Sequence, residues 1–178
     1  MRAAFHHIVY LLRGVQVFAL VGKSGTGKSF RAKLIAQKYG IEYIIDDGLL
    51  IHDSKILAGK SAKKEKAFLS AIKTALFDEY QHRREVQEYL KKHKFKRILL
   101  IGTSERMVRK IADILALPAV TKIIKIEDVA SREEIAKAVH TRTTEGKHVI
   151  PVPALEIKRN YPHIVYYSSK VFLRKRLG

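Results

Sequence analysis

Gly22-Lys23-Ser24-Gly25-Thr26-Gly27-Lys28-Ser29 places glycines, a lysine and a hydroxyl in the spacing G-x-x-x-x-G-K-[ST]. Those residue types in that order suit one chemistry, the holding of a nucleotide's phosphates. Glycine lets backbone amides approach dense negative charge without a side chain between them. The amides of the loop and of the first turn of a following helix, from Gly22 through Phe30, would point at the phosphates, where the helix dipole also favours an anion. Lys28 would bridge β- and γ-phosphate oxygens as a compact positive charge, and the Ser29 hydroxyl would complete the shell of a magnesium ion.

Such a loop needs a strand before it and a helix after it. Residues 15–21, Val-Gln-Val-Phe-Ala-Leu-Val, form a short, partly β-branched apolar run that predicts a buried parallel strand. Phe30, Leu34, Ile35 and Tyr39 then recur at helical spacing, and Gly40 is placed to stop the helix in the left-handed conformation. A second strand, 41–45, ends at Asp46-Asp47-Gly48. Carboxylates at that end of a strand are candidates for chemistry because open α/β sheets bind ligands there, although Asp-Asp-Gly is also good turn chemistry. Between the two acids the preference falls slightly on Asp47, which adjoins the glycine.

Residues 49–64 read as a small hairpin or as a loop with two apolar anchors. Residues 64–92 lack Gly and Pro and carry an apolar stripe, which predicts one long helix. A third strand follows at 97–101, then a Thr103-Ser104 cap and a helix to Pro118, a fourth strand at 122–126, and a capping box at Ser131 opening a helix through about Arg142. Gly146 would stop that helix. Beyond it, 148–153 reads as extended, 155–158 as a turn of helix and 164–167 as a last strand. Residues 1–13 read as a short strand or an arm beside the first core strand. Alternating strand and helix predicts a single α/β domain over 1–178, a doubly wound, mainly parallel sheet in a three-layer α/β/α arrangement.

The chain has no cysteine, which removes disulfides, thiolate metal sites and thiol nucleophiles and suits a cytoplasmic setting. Apolar runs stop well short of a bilayer span, so no transmembrane segment is expected. A formal charge of +18, from 35 Lys plus Arg against 17 Asp plus Glu, would attract polyanions and make their binding salt-sensitive. Basic clusters stand at Lys60-Lys63-Lys64-Lys66, at Lys91-Lys92-Lys94-Lys96-Arg97 and at Arg174-Lys175-Arg176. They read either as a solvated surface or as a face for nucleic acid, and no nucleic-acid recognition motif accompanies them. His52, His140 and His148 lack metal-ligand spacing. The sequence does not set an oligomeric state.

Through Gly22 to Ser29 and the flanking strand and helix, the chain resembles the P-loop nucleoside triphosphatase superfamily. It lacks the guanine-reading motifs of GTPases and the signature of transporter ATPases. The third strand ends Ile101-Gly102-Thr103-Ser104, without the acid that commonly supports magnesium there. The remaining resemblance is to small-molecule kinases, and it implies ATP or ADP with Mg²⁺ as cofactors. It also implies an acid after the second strand, Asp46 or Asp47, at the metal or the acceptor hydroxyl. Such kinases often add an arginine from a late helix; here Arg142 is the candidate, ahead of Arg132 and Arg106, against the reading of each as ordinary surface charge. The rival reading is a nucleotide-gated module whose basic surface holds nucleic acid or a protein.

Overall fold

The structure, a computed structural model, describes residues 2–145 and the side chains of 7–141. Readings that fall at Gly146 and at 148–153, 155–158, 164–167 and 174–176 lie outside the described residues.

Six strands form one sheet: β1 (Gln16–Val21), β2 (Tyr43–Asp46), β3 (Leu49–His52), β4 (Lys55–Gly59), β5 (Arg97–Gly102) and β6 (Val120–Lys125). They are ordered β4-β3-β2-β5-β1-β6. β1, β2, β5 and β6 run parallel, with Val17 opposite Ile98 and Tyr43 opposite Ile98 on its other side. β2, β3 and β4 form an antiparallel meander. The sheet is therefore mixed rather than mainly parallel. The cause is local: Asp47 and Gly48, and then Asp53 and Ser54, all take positive φ, so each pair makes a two-residue hairpin turn that fits the twist of the flanking strands. This decides the open reading of residues 49–64 in favour of a hairpin.

Strand alternation divides the core between two faces. Val17, Ala19, Ile98 and Leu100 point to one, where α4 (Tyr80–Lys92) contributes Val86 and Leu90 and α5 (Glu105–Ile114) contributes Val108 and Ile111. Phe18, Leu20, Leu99 and Ile101 point to the other, against Ala32 and Ile35 of α2 (Lys28–Tyr39) and Ile135 of α6 (Arg132–Glu145). The result is a three-layer α/β/α arrangement. No helix among the described residues is long and apolar enough to cross a membrane.

Two expectations are corrected. Residues read as a strand or arm at the start form α1 (Arg2–Leu12), and its end explains why. Gly14 takes φ 66, its N–H donates to Leu11 and that of Val15 to Tyr10, which is the paired bonding of a glycine-terminated helix. Tyr10 is thereby buried against Phe95, with ring centroids 5.6 Å apart. The single helix expected over 64–92 is two, α3 (Phe68–Ala75) and α4. α3 closes by the same bonding with Phe77 in the glycine-like position, at φ 56. The left-handed conformation costs about 1–2 kcal/mol, and fully burying a phenylalanine returns about 1.5–3 kcal/mol. Phe77 is fully buried, its ring 4.7 Å from that of His82, so burial prevails over helix continuity.

Candidate functional site

β1 and β5 are neighbours whose chains leave toward opposite faces, β1 into α2 and β5 into α5. A crevice opens beyond such a pair of strand ends, where the connections diverge. In it lies a cleft of about 90 Å³. Ser24, Gly25, Gly27, Lys28, Ser29 and Phe30 line one side, Asp46, Asp47 and Lys63 another, and Thr103, Met107 and Ala138 the rest.

The loop is built by its small residues. Gly25 and Gly27 take φ 85 and 84, a conformation that side chains disfavour. A Cβ on Gly22 would stand 2.4 Å from Ile126 Cγ2, so the strand can turn into the loop there only without a side chain. The buried Thr26 hydroxyl donates to Lys23 O at 2.8 Å and closes the bend. Gly27 begins α2 without a side-chain cap, and the helix's first turn carries no acid, so nothing acidic of its own competes for its dipole.

Lys28 is nearly buried. Its ammonium donates to Gly22 O and Lys23 O, each at 2.8 Å, which holds the charge over the loop. Beside it, Ser29 and Asp46 line the same cleft, close enough that the Ser29 hydroxyl favours the charged carboxylate. Burial, first, and the neighbouring Asp47 push the Asp46 carboxyl above the usual range; the Ser29 hydrogen bond, Lys63 and Lys28 pull it back. Asp47 is set apart: it turns outward at φ 48 and pairs with Lys63 at 3.0 Å.

The loop residues and both acids are thus brought together around one cleft. Thr103 lines it, while Ser104 caps α5 by accepting from Met107 N–H. Arg132 and Arg106 are exposed in the first turns of α6 and α5 and do not line the cleft. Arg142 is on α6 one turn past Ala138, and its side chain lies outside the described residues. His52 is anchored through Nδ1, 2.6 Å from Glu42 O. Among the described residues no three His, Cys, Asp or Glu side chains cluster as a metal site.

Sequence reasoning missed Lys63, Met107 and Ala138 as parts of the site, and the structural weight of His82. Lys63 is one lysine among several neighbours, and only the return of β4 brings it beside Asp47. A Cβ on Gly48 would stand 2.4 Å from Lys60 O and one on Gly59 2.3 Å from Gly48 O, so the meander is closely packed there. His82 closes this node from α4, with Nε2 2.7 Å from Gly48 O and 3.0 Å from Lys60 N.

Comparisons of the chain with models of protein families, with curated proteins and with solved structures find no match.

Proposed function

We propose that this chain binds a nucleoside triphosphate or diphosphate with magnesium at the cleft, as a P-loop protein of kinase-like architecture that transfers a phosphoryl group or slowly hydrolyses ATP. The observation that supports this most is the joining of Lys28 and Ser29, on the amide-rich start of α2, to a buried acid from the end of a different strand. The residues fit both groups. Lys28 supplies a compact charge and the glycines leave the loop amides approachable, as polyphosphate needs. Magnesium sites that rely on substrate phosphates take only one or two protein oxygens, and Ser29 with Asp46 offers that set. When bound, magnesium would offset the charge that builds up as the phosphoryl group moves.

In this reading Lys28 neutralises the phosphates, and the loop amides orient them. Asp46 holds the Ser29 hydroxyl toward the metal and, with its raised pKa, is suited to receive a proton from an acceptor hydroxyl. Thr103 and Met107 form the wall that a small acceptor would face. Adenine is the superfamily's usual base, and a reducing cytoplasm suits a chain without cysteine. The charge of +18 favours a second reading, a nucleotide-gated module that holds a polyanion. Calorimetry with Mg-ADP and Mg-ATP tests the common premise, and absence of binding to either rejects it. ADP release measured with single-stranded RNA and with a panel of small hydroxyl acceptors separates the readings. Acceptor-dependent release is expected for phosphoryl transfer, release indifferent to both for slow hydrolysis, and RNA-stimulated release for the module.

A further inference from the structure

We propose that Lys63 is a second phosphate-binding cation, the residue by which the site distinguishes a nucleoside triphosphate from a diphosphate. The inference rests on the nucleotide-binding reading above and adds the group that reads the terminal phosphate.

Lys63 is positioned by its backbone. It sits in a single 3-10 turn, Ala62–Lys64, that follows the meander. The Ala62 N–H donates to Asp47 O at 2.9 Å and its methyl is buried, so the turn is fastened to the end of β2. Glu65 fastens its other side, accepting from Ser70 Oγ and Thr74 Oγ1 on α3. The ammonium is thereby delivered to the wall that carries Asp46 and Asp47, across the cleft from the loop that carries Lys28.

Its partner can be exchanged. The Lys63–Asp47 pair is 3.0 Å long, but the two side chains are 45% and 37% exposed. Exposed pairs of this kind contribute about 0–1 kcal/mol. A terminal phosphate carries more charge than one carboxylate and offers three acceptor oxygens. Leaving Asp47 for that phosphate therefore costs little and gains a stronger, charge-assisted bond. Lys28 and the loop amides hold the phosphates that both nucleotides have, with Lys28 reaching on to the terminal one, whereas Lys63, on the opposite wall, serves only the phosphate that the triphosphate alone has.

The test is calorimetric affinity of the full chain for Mg-ADP and for Mg with a non-hydrolysable ATP analogue, in wild type, Lys63→Gln, Lys63→Arg and Asp47→Asn, each first shown to melt like wild type. Lys63→Gln is expected to weaken the triphosphate analogue by about tenfold or more, the equivalent of one charged hydrogen bond, and ADP by less than about threefold. Lys63→Arg should keep most of the discrimination. Asp47→Asn breaks the same ion pair but leaves the ammonium in place, and should hold triphosphate affinity at or above wild type. Equal losses for both nucleotides in Lys63→Gln, no loss in either, or a matching loss in Asp47→Asn overturns the assignment while leaving nucleotide binding intact. Failure of wild type to bind either ligand overturns the underlying reading, and this inference with it.

Discussion

Replacing Lys28 with alanine should separate binding from folding, and both magnitudes can be worked from its surroundings. In the free protein the ammonium donates to Gly22 O and to Lys23 O, and Lys28 interacts further with its surroundings. Each of the two bonds contributes about 0.5–1.5 kcal/mol net. Lys23 is exposed and Gly22 half-buried, so water can replace the lost donor at both carbonyls. The substitution also removes the cost of keeping an ammonium nearly out of water. These opposing contributions leave the variant within about 1 kcal/mol of wild type, or about 2–4 °C in melting temperature for a chain of this size.

Binding should respond far more. A hydrogen bond to a charged group is worth about 1.5–3 kcal/mol, so losing two phosphate contacts weakens affinity by about a hundredfold or more. At a ligand concentration of 100 Kd, wild type gains about 2.7 kcal/mol and melts about 5–10 °C higher. At that concentration a variant weakened a hundredfold gains only about 0.4 kcal/mol, a shift of about 1–2 °C. Differential scanning calorimetry with and without Mg-ADP reads both quantities in one experiment. An equal upward shift in wild type and variant would refute the role given to Lys28, and a variant that unfolds without ligand would refute the estimate of its structural cost.

Asp46→Asn should abolish the magnesium dependence of nucleotide binding while making the free protein more stable at pH 7. Folding raises the Asp46 pKa, so the wild-type chain loses stability as pH rises from its ordinary range through the folded value, and the amide, which keeps an acceptor for Ser29, does not. The gap between the two melting temperatures should widen with pH across that window and then level off; a gap that narrows with rising pH contradicts the assignment. Ser54→Gly should stabilise the chain by about 0.5–1 kcal/mol, because Ser54 is exposed and held at φ 67, where glycine is unstrained. Urea titration checks this, and a lower midpoint with unchanged slope would contradict it.

What was legible in the sequence was what local chemistry determines. The glycine-rich loop between strand and helix, the buried strands at β1 and β5, the glycine end of α2 and the capping box at Ser131 each depend on neighbours a few residues away, and each formed where its pattern placed it. The misreadings came from nonlocal burial. α1 carries a strand-like apolar run that becomes helical while Tyr10 finds a pocket against Phe95, a residue 85 positions away. The long helix breaks because Phe77 gains more inside the core than α3 gains by continuing. Lys63 could not be singled out because its local sequence is only a lysine cluster, and its place beside Asp47 depends on two hairpin turns.

The two acids show how a shift of one residue can decide a role. Along β2, Tyr43 and Ile45 point into the core beneath α4 and α5, so Ile44 and Asp46 point to the face covered by α2. α2 begins at the phosphate loop, and that face is therefore the one where Ser29 waits for a partner. Asp46 meets it as the last residue of the strand. Asp47 has already entered the turn, where positive φ carries its carboxylate out of the strand's alternation and toward Lys63. The slight preference for Asp47 weighed its neighbour Gly48; the proposed function gives the role to Asp46 on the alternation of the strand and the face chosen by α2. On the proposed function, the same argument would let the end of β5 do without an acid. A carboxylate from β2 shares the cleft with the hydroxyl of α2, leaving Gly102, where a Cβ would stand 2.7 Å from Val108 Cγ1, to bring α5 close against the strand.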